Sequence, residues 1–164
     1  MTTNPGAAGR PPAQGGAAFL LAQLGAHAAE RFAERIAVLD LTPAQAGLLR
    51  TLARAPGRSQ RELADDLGMP PSRFVPFADG LEQRGLIERR RNAEDRRLYA
   101  LHLTDQGTAL LGELAKVAME HERQMCESLS GEEREQFIAL LRRVADAQGL
   151  VPGVHPGFRT VRGK

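Results

Sequence analysis

Apolar residues recur at helical spacing through most of this chain and give way to short strand-like runs only once. From Ala17 to Leu39, the positions Leu21, Leu24, Ala28, Phe32 and Ile36 form one stripe and predict a long amphipathic helix. Thr42-Pro43-Ala44-Gln45 then starts another. Thr42 suits the N-cap, Pro43 the first helical position, and Gln45 closes a capping box. Ala46, Leu48, Leu49 and Leu52 are its apolar positions, and Pro56-Gly57 stops it. Two short helices follow, Ser59–Leu67 and Pro71–Arg84. Ser59 and Glu62 form a second capping box, and Gly68 supplies the positive φ that ends a helix. Next come two strands, Leu86–Arg90 and Leu98–Leu103, joined by a polar tip from Arg91 to Arg97. After Thr104 the helical period returns to about Ser128, with Leu110, Leu111, Leu114, Val117, Ala118, His121 and Met125 on one broad face. Ser130 and Glu133 make a third capping box. It opens a helix to about Ala147, whose Phe137, Leu140, Leu141 and Val144 are expected to point inward.

Helix, tight turn, helix, hairpin is the order of a winged helix-turn-helix, a DNA-reading module. In the second short helix Phe74, Phe77, Ala78 and Leu81 make the buried stripe. Ser72 and Arg73 fall off that stripe in the first turn, where a recognition helix meets base edges. The hairpin carries the charge: from Arg84 to Arg97 there are six arginines against three acids. An arginine at a loop tip suits a narrow minor groove, where negative potential is enhanced. Pro76 and Gly80 are at odds with a regular recognition helix. Either its regular part starts late, at Ser72 or Arg73, or it starts at Pro71 and bends. Proline's fitness for the first helical position favours the bend. In both cases base readout is expected to rest on Ser72, Arg73 and the hairpin.

Composition narrows the alternatives. A chain of 164 residues without a long linker reads as one domain. The formal net charge is +2, so the local arginine cluster, not the global charge, points to nucleic acid. Few aromatics and no Trp disfavour a stacking platform for single strands. The single cysteine, Cys126, forms no intrachain disulfide and fits a reducing compartment as a structural thiol. Met1–Gly16 and Gly149–Lys164 are broken by Gly and Pro and are expected to be disordered tails, the second one basic. The apolar run Ala17–Ala22 is interrupted by Gln23 and is read as helix rather than signal peptide. No stretch approaches the roughly 20 apolar residues that span a bilayer. Phosphate-loop, His-Glu-x-x-His and Cys-x-x-Cys motifs are all missing, so no enzyme is indicated and no cofactor expected. His27 with Glu30, or His121 with Glu120 or Glu122, are weak metal-ligand spacings and are not taken as a site.

Three runs together resemble the MarR (multiple antibiotic resistance regulator) family of bacterial transcription factors. They are Leu63-Ala64-Asp65-Asp66-Leu67-Gly68, Leu81-Glu82-Gln83-Arg84-Gly85-Leu86-Ile87-Glu88-Arg89, and Glu94-Asp95-Arg96-Arg97 closing on Leu101-His102-Leu103-Thr104. The resemblance covers about Ala17 to Ala147. It implies a mainly α fold with a small β-hairpin wing. The winged helix-turn-helix would span about 42–104, and dimerisation helices about 17–39 and 105–148. It also implies a cytoplasmic homodimer that binds double-stranded DNA and represses from a pseudo-palindromic operator. A small-molecule effector would occupy a cleft between the DNA-binding lobe and the dimerisation helices. Carried over by position, Asp95 and Arg97 match the family's Asp-x-Arg wing motif, with Arg97 in the minor groove and Asp95 bracing it. Ser72 and Arg73 match recognition-helix positions that touch bases or phosphates. With Ser59, Gln60, Arg84, Arg90 and Arg96 they complete the expected DNA-binding set. Pro76 and Gly80 stand where the family often has basic or polar residues, and Pro70 where a Ser or Asp N-cap is usual. These departures keep a second reading open, a winged-helix protein-interaction module with weak or non-specific DNA binding.

Overall fold

The structure, a computed structural model, describes residues 15–91 and 99–153. Six helices and one antiparallel hairpin follow in the order α1 (Ala17–Ile36), α2 (Pro43–Arg54), α3 (Gln60–Leu67), α4 (Pro71–Gln83), β1 (Ile87–Arg91), β2 (Tyr99–Leu103), α5 (Asp105–Met125) and α6 (Gly131–Ala147). This is the mainly α fold with a β-hairpin wing that the pattern predicts. Thr42, Ser59 and Ser130 all cap as expected, each in a reciprocal box with the residue three positions on. Gly68 ends α3 at φ 63°.

Several boundaries differ from the expectation for local reasons. The first helix stops at Ile36 and continues as a tighter 3₁₀ turn over Ala37–Leu39. Asp40 then adopts a left-handed φ of 52°, which turns the chain into α2. Strand β1 begins at Ile87 rather than Leu86, because Leu86 is spent in the turn from α4, its N–H bonded to Leu81 O at 3.0 Å. Helix α5 ends at Met125, not Ser128. Helix α4 starts at Pro71, so the late start at Ser72 or Arg73 is not adopted and Pro76 lies inside the helix. Lacking an N–H, Pro76 cannot donate to the Ser72 carbonyl.

One core lies beneath the helix-turn-helix. Phe74, Leu81, Leu63, Leu49, Ile87 and Leu114 are fully buried in it, contributed by α4, α3, α2, β1 and α5. Phe77 is only half-buried at its edge. The hairpin pairs Ile87 with Leu103 and Arg91 with Tyr99. The stretch before α3 joins it: Gly57 N donates to Leu101 O (3.1 Å), and Leu101 N to Arg58 O (3.0 Å). Helix α5 leaves the wing at once. Thr104 caps it through Gly107 N and donates from Oγ1 to Gly85 O at 2.6 Å. Gly107 is required there, since a Cβ would stand 2.0 Å from Leu86 O.

The inward face expected for α6 is corrected by the structure. Phe137, Leu140 and Val144 are exposed, Leu140 by 56 %, and α6 contributes no buried residue. Leu21 and Leu24 of the α1 stripe are likewise exposed. Periodicity identified apolar faces that the chain's own core does not cover.

Candidate nucleic-acid interface

The site is built on the first turns of α3 and α4 and on the hairpin beside them. Ser72 and Arg73 are both exposed in the first turn of α4. Pro70, at the N-cap, offers no side-chain acceptor, so that end of the helix is not closed by a cap. Arg73 N and Phe74 N turn back onto Pro70 O at 2.9 and 3.0 Å. Pro71 has no N–H, so the Ser72 N–H is the backbone donor of this turn that has no partner among the described residues and could meet an anionic oxygen.

The other expected contacts divide by what already holds them. Ser59 is 8 % exposed. Its Oγ donates to Glu62 Oε2 (2.8 Å) and accepts from Glu62 N (3.2 Å), so the hydroxyl serves the cap. The Ser59 backbone N–H, then its hydroxyl, hold the Glu62 carboxyl below the usual carboxylate range. Gln60 is half-buried, with Oε1 3.4 Å from Arg89 Nη2. Arg84 follows the last residue of α4 and donates to Asp40 O (2.6 Å) and Leu39 O (3.4 Å). It therefore acts as a strut to the turn after α1. Arg90 is exposed and pairs with Glu88, its Nε donating at 2.9 Å. Arg91 is exposed as well. Asp95, Arg96 and Arg97, with the rest of the wing tip, lie outside the described residues.

Sequence reasoning missed Arg89, counting it as one more charge in the hairpin. It is 17 % exposed and ion-paired with Asp79 and Glu82 of α4. The signal was strand alternation, which puts Arg89 on the same face as buried Ile87. Arg58, ion-paired with Asp66, was missed too.

A cleft of about 460 Å³ lies away from this surface, between α1, α2 and α5. Ala28, Phe32, Ala46, Arg50 and His121 are among its walls. The Arg50 guanidinium carbon sits 6.0 Å from the Phe32 ring centre, and the His121 ring 5.4 Å from it. His121 Nδ1 is buried without a hydrogen-bond partner among the described residues. Burial, then the charge of Arg35, lowers its pKa, which keeps the imidazole neutral at neutral pH. Glu120 is engaged elsewhere: hydrogen bonds from Arg123 and then Gln124 hold it at about 2. No group of three or more His, Cys, Asp or Glu among the described residues is arranged to hold a metal. Burial, then Glu122, raises the Cys126 thiol, which disfavours the reactive thiolate. No helix among the described residues is long and apolar enough to cross a membrane.

Comparison with known proteins agrees with this architecture. The MarR family model matches residues 39–98. A protein of Thauera aromatica described as a transcriptional regulatory protein for the hcr operon is 35 % identical over 115 residues, which is 70 % of this chain and 69 % of that one. The transcriptional repressor CouR, solved bound to a 23-mer DNA duplex, superposes with a TM-score of 0.69 at 37 % identity, covering 79 % of this chain and 92 % of CouR. A second CouR structure, bound to p-coumaroyl-CoA, gives 0.64 at 35 % identity, covering 79 % and 91 %. By fold, by sequence and by these relatives, the chain belongs to the MarR family of transcriptional regulators.

Proposed function

We propose that this chain is a ligand-responsive homodimeric repressor that binds double-stranded DNA at a pseudo-palindromic operator in the cytoplasm. The observation that carries the reading is the exposure of Ser72 and Arg73 in the first turn of α4, beside an arginine-rich hairpin. CouR, similar over most of its length, is a repressor seen on duplex DNA, which supports the same use of the surface. Ser72, Arg73, Gln60, Arg90 and the wing residues Asp95, Arg96 and Arg97 are the proposed DNA-facing set. Ser59 and Arg84 position that set, as cap and strut.

The uncovered apolar faces of α1 and α6 support pairing of two copies. A two-fold would then set the two α4 helices on half-sites about 10 bp apart. The cleft supports an effector with an apolar, aromatic body against Phe32 and an anionic group toward Arg50. CouR's p-coumaroyl-CoA has both features.

The test is a selection of duplexes from a random pool by the full-length protein, followed by titration at two salt concentrations. An enriched duplex should bind more tightly than a scrambled one, and Arg73→Ala should flatten the log–log salt slope by about one unit. Equal affinity for enriched and scrambled duplexes would favour the protein-interaction module instead.

A further inference from the structure

The arginines of β1 do different jobs. Arg90 and Arg91 are exposed, whereas Arg89 is drawn in between two helices. Its guanidinium pairs with Asp79 and Glu82, one helical turn apart on α4, and reaches Gln60 Oε1 on α3 at 3.4 Å. The Arg89 backbone N–H adds a bond to Glu82 Oε1 at 3.2 Å. One side chain thus joins β1, α4 and α3, the elements that carry the proposed DNA contacts.

We propose that Arg89 is a positioning residue for DNA recognition: it locks the wing to both helices of the helix-turn-helix and fixes which end of the Gln60 amide is free. The proposal rests on the DNA-binding reading above. Two physical points carry it. First, two carboxylates already match the Arg89 charge, so it adds little attraction for phosphate. Its effect on DNA must come through geometry. Secondly, a guanidinium has donors only, so the Gln60 atom facing it is the oxygen. The NH₂ group has no partner among the described residues and is a donor suited to a phosphate oxygen, a purine N7 or guanine O6, and unsuited to a cytosine amino group.

The test uses full-length protein, a duplex that the wild-type chain enriches from a random pool, and a scrambled duplex of equal composition. The readouts are the ratio of the two affinities and the salt slope. R89Q is expected to lower the ratio by about tenfold or more and leave the slope unchanged. D79N/E82Q should lower the ratio similarly, and adding R89Q to it should lose little more, because one clamp is broken in each case. R89K keeps the charge without the planar fork and should fall between wild type and R89Q. Asp79 and Glu82 are half-exposed, so D79N/E82Q keeps the test open should R89Q fail to fold. A slope flattened by about one unit in R89Q would make Arg89 a direct phosphate contact and overturn the proposal. An unchanged ratio in R89Q or in D79N/E82Q would overturn it too. If the wild-type chain enriched no sequence, the DNA-reading premise itself would fall, a distinguishable result.

Discussion

Arg84 donates a 2.6 Å hydrogen bond to the backbone carbonyl of Asp40, a residue 44 positions earlier in the chain. The bond ties the end of α4 to the one non-glycine residue with positive φ among those described. The Asp40 carboxylate, 3.6 Å away and almost fully exposed, adds little to it. Arg84→Ala should therefore lower stability by about 1–2 kcal/mol in urea unfolding, the scale of a hydrogen bond from a charged group. The salt slope of DNA binding should stay the same. A flattened slope would put Arg84 on phosphate instead.

Three substitutions test the tightness of the fold in opposite directions. Gly107→Ala should destabilise by about 3 kcal/mol, because its Cβ meets a backbone carbonyl that cannot move aside cheaply. Gly80→Ala has open space and should stabilise by about 1 kcal/mol. Pro76→Ala restores a helical donor to the Ser72 carbonyl and should stabilise by up to about 3 kcal/mol, with operator choice unchanged. Loss of specific binding in folded Pro76→Ala would instead make the proline part of the recognition surface.

His121 should make stability depend on pH. Its folded pKa lies below the ordinary 6.5, so the unfolded chain takes up the proton first. Stability is then fully present above that value and lost as pH falls from about 6.5 toward the folded pKa. Thermal midpoints between about pH 7.5 and about pH 5.5 should drop less in His121→Gln than in wild type. Equal drops would assign the dependence to other groups.

The wing tip has its own signature. Arg97→Ala should weaken binding to an enriched duplex by about 1–3 kcal/mol and flatten the salt slope by about one unit. Asp95→Ala should weaken binding with the slope retained, the outcome expected if Asp95 braces Arg97 without itself meeting phosphate. If both variants bound as wild type does at every salt concentration, the wing would not be engaged.

Local signals were legible in the sequence and contacts between elements were not. Each capping box joins residues three apart, so Thr42, Ser59 and Ser130 could be read from the chain alone. The stripe of α4 was legible for the same reason, with Phe74, Ala78 and Leu81 buried. For α6 the pattern identified Phe137, Leu140 and Val144 as one face, but spacing does not say which surface covers a face. The DNA-facing set was harder still. Ser59, Arg84 and Arg89 are polar and close to the helix-turn-helix, as a contact residue would be. In the structure each is held by partners within the fold, and for Arg84 and Arg89 those partners lie on other elements.

The bonds between Gly57–Arg58 and Leu101 have a mechanical consequence. They fasten the entry of α3 to β2, and β2 runs into α5 within two residues. A rod so attached at its root cannot swing without dragging the strand and the start of α3 along. Rotation of α5 about its root would therefore carry the strand and the start of α3 with it, so these three elements are expected to move as one unit.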